Sequence, residues 1–147
     1  MNVISDALAI WLAPLIGLTA GTDVFSNHLP EAPDLLVSLL ENPGGMPIVY
    51  TMGSAPVLVY ATVQVFARGT VERQESSALI VAAYKAFIAH PAMTTAPWTV
   101  AATGAWAPGT LTILSLAVRS YPLPFDRDSS GRLSHAFDLD LTARLTP

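Results

Sequence analysis

Two long stretches of alternating character constrain the fold more than any other feature of this chain. Val57–Arg68 places Val57, Val59, Ala61, Val63 and Val65 on one side, and Leu58, Tyr60, Thr62, Gln64, Phe66 and Arg68 on the other. Arg132–Leu145 sets Leu133, His135, Phe137, Leu139, Leu141, Ala143 and Leu145 against Arg132, Ser134, Ala136, Asp138, Asp140, Thr142 and Arg144. Successive strand side chains point to opposite faces, so both stretches predict strands with one buried face. Shorter strands are expected at 22–25, 35–40 and 110–121; the second is apolar except for Ser38 and should be buried on both faces.

Helical spacing appears twice. Ile4, Leu8, Trp11, Leu12 and Leu15 form the first stripe, with Asn2 or Ser5 as candidate N-caps and Pro14 and Gly17 as stops. The second helix is expected after Gly69-Thr70. Thr70 is its candidate cap, and Glu72 and Glu75 favour the positive end of the helix dipole. Its predicted stripe is Leu79, Ala82, Ala83, Ala86 and Phe87, and His90-Pro91 ends it. The order helix, strands, helix, strands predicts an α+β fold rather than alternating β-α units. The expectation is one domain over 1–147, a mostly antiparallel sheet with two helices packed on one face.

Composition narrows the function classes. Hydrophobic residues make up 52% and charged residues 12%, about half the ~25% charge usual in globular domains. A surface so poor in charge predicts apolar area covered by partners, which points to assembly. Net charge is −4 with seven scattered basic residues, which disfavours binding of nucleic-acid phosphates. No cysteine is present, so disulfides, thiol catalysis and cysteine-held zinc are excluded. Residues 1–6 lack the basic region of a signal peptide. The apolar run Ala7–Leu18 is broken by Pro14 and falls short of the ~20 residues of a membrane span.

Candidate chemistry is sparse. Asp126–Arg132 resembles the start of a calcium loop, but the twelfth position, which needs a bidentate carboxylate, is Phe137. A polar turn before the last strand fits better. Asp138 and Asp140 share one face and read as a charged, solvent- or subunit-facing pair. His28, His90 and His135 lie far apart, without ligand spacing. Ser54 lacks the second glycine of a nucleophile elbow, and no phosphate-binding lysine follows Gly44-Gly45. No catalytic, cofactor or metal residue is therefore assigned, and an enzyme or small-ligand domain is the least favoured class. Partner contact is expected elsewhere. The turn-rich stretch 42–56 carries Met46, Tyr50 and Met52, and 93–109 carries Trp98 and Trp106; large apolar groups on such connections are costly if solvated. Stretch 42–56 reads as a hairpin or a partner-binding arm. Arg68 reads either as a strand-end charge with its stem on the core or as half of an intersubunit ion pair.

Three patches then carry a family resemblance: Leu29-Pro-Glu-Ala-Pro-Asp34, Gln64-Val-Phe-Ala-Arg-Gly69 and Asp126-Arg-Asp-Ser-Ser-Gly-Arg132. In this order, with these elements between them, the chain resembles the minor capsid or tail terminator proteins of long-tailed bacteriophages. Stretches 42–56 and 93–109 match no part of that pattern. The resemblance implies a tail-terminator-like fold and a non-enzymatic, cofactor-free structural protein. It implies a hexameric ring at the head–tail junction of the virion, made in the host cytoplasm, that caps the tail tube and meets the connector. DNA would pass through without specific binding. Head-closure and tail-tube proteins of the same particle are the alternative.

Overall fold

The computed structural model describes residues 3–41, 48–51, 57–70, 73–89 and 110–146. In chain order the elements are α1 (Val3–Leu15), β1 (Val24–Ser26), β2 (Leu36–Glu41), β3 (Ile48–Thr51), β4 (Val57–Arg68), α2 (Arg73–Ala89), β5 (Thr110–Val118), β6 (Leu123–Phe125) and β7 (Ser134–Thr146). All seven strands join one sheet. Its spine is the antiparallel pair β4–β7, running from Val57 opposite Leu145 to Arg68 opposite Ser134. The far margin of β4 is shared: β2 pairs with Val63–Arg68 and β3 with Val57–Tyr60. β5 and β6 share the far margin of β7 in the same way. β1 extends the sheet by pairing parallel to β2, and the other pairings are antiparallel. The class is α+β, as the element order predicts.

Alternation decides what is buried. Ala61, Val63, Val65 and Ala67 of β4 and Phe137, Leu139, Leu141 and Ala143 of β7 all face the helices and join one core. α1 lays Ile4, Leu8 and Leu12 over β1 and β2, and α2 lays Ile80, Ala83 and Phe87 over β4 and β7. Phe87 ties the layers together, its ring 5.1 Å from Trp11 and 6.1 Å from Phe137. Each such large apolar side chain contributes roughly 1.5–3 kcal/mol by leaving water. Gly69 sets the approach of β4 to α2: a Cβ there would lie 2.8 Å from the backbone nitrogen of Ser76.

Several expectations need correction. The last strand begins at Ser134; Arg132 and Leu133 precede it. The first begins at Val24, because the Thr19 carbonyl accepts the N–H groups of Thr22, Asp23 and Val24 and closes a turn. β5 stops at Val118, and Leu123–Phe125, expected within a turn, pairs with β7 as β6. Ser5 lies inside α1 and is fully buried, so it is not the cap. The α2 stripe runs through Ser76, Ile80, Ala83 and Phe87, and Ala82 is exposed. Within 42–56, Ile48–Thr51 forms β3 and pairs antiparallel with β4, which is the hairpin of the two readings given for that stretch. Asn2, Glu72, Ser54, Gly44, Gly45 and His90 lie outside the described residues.

Candidate functional site

The three sequence patches meet at one corner of the sheet. Residues 27–35 carry the chain from β1 to the parallel strand β2, with Pro30, Pro33 and a cis Ala32–Pro33 peptide on the way. Such a segment is neither helix nor strand, so its carbonyls need donors from elsewhere. Arg68 supplies them. Its guanidinium donates through Nη2 to the carbonyls of Pro30 (2.8 Å), Glu31 (3.2 Å) and Pro33 (2.8 Å), and through Nε to that of Asp34 (3.3 Å).

Arg132 approaches the same segment from the other side. Nη1 donates to the Glu31 carbonyl (2.7 Å) and to Asp34 Oδ1 (3.2 Å), and Nη2 to Glu31 Oε2 (3.1 Å). Nε donates to Asp128 Oδ2 (2.7 Å). The turn before β7 holds Asp128 in place: Oδ1 accepts the backbone N–H groups of Ser130 and Arg132, both at 2.9 Å. Asp side chains favour such turns, and Gly131 takes the left-handed φ of 76° that completes this one. Thus Pro30–Asp34, Arg68 and Asp128–Arg132 form one bonded junction.

Both arginines are nearly inaccessible, with 4% of Arg68 and 8% of Arg132 exposed. Burial first, then the neighbouring Arg132, lowers the pKa of Arg68, and guanidinium still stays charged. The hydrogen bond to Asp128 raises that of Arg132 above its usual value. The N–H of Arg132 holds the Asp128 carboxyl below the ordinary carboxylate range. Arg68 is therefore a strand-end charge buried at the end of β4, in keeping with the first of its two readings, and its head group bonds carbonyls of its own chain.

The sheet face away from the helices is the second feature. Tyr60, Thr62, Gln64 and Phe66 of β4 lie beside Thr142, Asp140, Asp138 and Ala136 of β7. Asp138 and Asp140 thus share this face, as their spacing predicts. Asp140 accepts a hydrogen bond from the Thr62 hydroxyl (2.8 Å) and pairs with Arg119 Nε (3.2 Å). That ion pair is half exposed on both sides and contributes at most about 1 kcal/mol. Large apolar groups remain at the surface here: Tyr60, Leu123 and Phe125, with the Phe125 ring 6.1 Å from that of Phe66 and tilted 42° to it. Tyr50 lies opposite Leu58 in the β3–β4 ladder. Met46, Met52, Trp98 and Trp106 fall outside the described residues.

A serine–histidine pair also occurs: Ser76 Oγ lies 2.9 Å from His135 Nδ1. Nucleophilic catalysis needs access for a substrate, and both residues are buried between α2 and the sheet. The pair satisfies two buried polar groups. Among the described residues, no group of three or more His, Asp or Glu side chains could hold a metal ion. No described helix is long and apolar enough to cross a membrane.

No protein-family model matches this sequence, and no curated protein does. A chain in a solved structure of the virion of a native gene transfer agent (GTA) particle is similar over 99% of this chain and 92% of that one. Identity is 17% and the TM-score 0.44. At that score the likeness carries no argument about function.

Proposed function

We propose that this chain is a structural, non-enzymatic subunit of a phage-like virion. In this reading it is a tail terminator: a hexameric ring at the head–tail junction that caps the tail tube and meets the connector proteins. One observation carries the reading. The patches that resemble the terminator family, far apart in sequence, are one bonded junction in space. Coincidental matches would have no reason to bond to each other through two buried arginines. The charge-poor composition and the apolar groups on the helix-free face support a chain that works by assembly. Asp138 and Asp140 are proposed to face the ring lumen or a subunit boundary, and Met46, Tyr50, Met52, Trp98 and Trp106 to contact partners.

The test is imaging of intact particles with the subunit labelled. A ring of copies between tail tube and connector is expected. One copy per tail, or a place elsewhere in the particle, overturns the terminator reading; a ring on the head side of the junction favours a head-closure role.

A further inference from the structure

We draw no further inference here: the strongest candidate, the apolar groove of about 440 Å³ between α1 and β1, carries nothing, because its Asp6 is already bonded to Ser26 and nothing in the structure shows what covers it.

Discussion

Arg68 and Arg132 approach one proline-rich segment from two sides but answer different acceptors. Arg68 bonds only backbone carbonyls; Arg132 bonds three carboxylates and one carbonyl. The difference determines what each substitution exposes. In Arg68→Met the stem is kept and the head group lost, leaving the Pro30 and Pro33 carbonyls without their donor in a corner that Arg68 itself shields from water. An unsatisfied buried polar group costs about 1–3 kcal/mol, so Arg68→Met should lower unfolding stability by roughly 2–5 kcal/mol. Arg68→Lys should recover only part, because one ammonium cannot reproduce the planar fork. Urea denaturation measures both; an Arg68→Met midpoint equal to that of the parent chain would refute the role. The patches of this junction were legible as residue strings, but their convergence was not. Backbone carbonyls are its main acceptors, and a carbonyl leaves no mark in residue type. An arginine at the end of an apolar strand beside glycine was the available signal.

At the scale of elements, α1 depends on β2 for its first turn. The opening N–H groups of a helix lack partners within it. Here the Ser5 N–H donates to Glu41 Oε1 (2.9 Å) from the end of β2. Asn27 braces the pair, donating to Ser5 Oγ (3.3 Å) and accepting the Glu41 N–H through Oδ1 (2.6 Å). Asp6 and the Ser26 hydroxyl are bonded beside them. Burial raises the pKa of Glu41 above the usual carboxylate value, and the Ser5 N–H opposes that rise. The folded chain then holds this proton more tightly than the unfolded chain does. This group's contribution is most favourable below the unfolded pKa, declines as pH rises through the raised folded value, and stays at the lower level at neutral pH. Glu41→Gln keeps an acceptor for Ser5 without the charge. It should be more stable than the parent at neutral pH, with the difference vanishing in acid; calorimetric melting across that range decides. A glutamine variant that melts lower at neutral pH would mean that attraction to the helix dipole outweighs desolvation. Long elements were the readable ones. Val57–Arg68 has its predicted bounds because alternation persists along it. The α2 stripe was legible through Leu79, Ala83, Ala86 and Phe87, and it missed at Ala82 because alanines occur around much of that helix, so its exact phase is set by its fit to the sheet, through Phe87 on Phe137 and Tyr84 on Phe137. β6 was missed because three residues containing a proline are too short to show a period.

For the whole molecule, the use of its few basic residues decides how it meets DNA. Tight duplex binding needs several lysines or arginines free to replace counterions along the phosphates, and loses affinity steeply with salt. This chain has seven basic residues against eleven acidic ones. Arg68 and Arg132 are buried in the junction, and Arg119 is paired with Asp140. Those that remain are scattered along the chain, and residues 1–41 hold no lysine or arginine. If DNA traverses a ring of these subunits, a neutral or weakly repelling lining holds no phosphate as it passes, and Asp138 and Asp140 suit such a lining. The expected outcome is negligible affinity of the purified chain for duplex DNA at physiological salt, with no preference for sequence. A fluorescence anisotropy titration against a short labelled duplex tests it, repeated at lower salt to expose any electrostatic component. Sub-micromolar binding at physiological salt would place a basic surface where the charge distribution has none, and would turn the functional reading toward a nucleic-acid-binding protein.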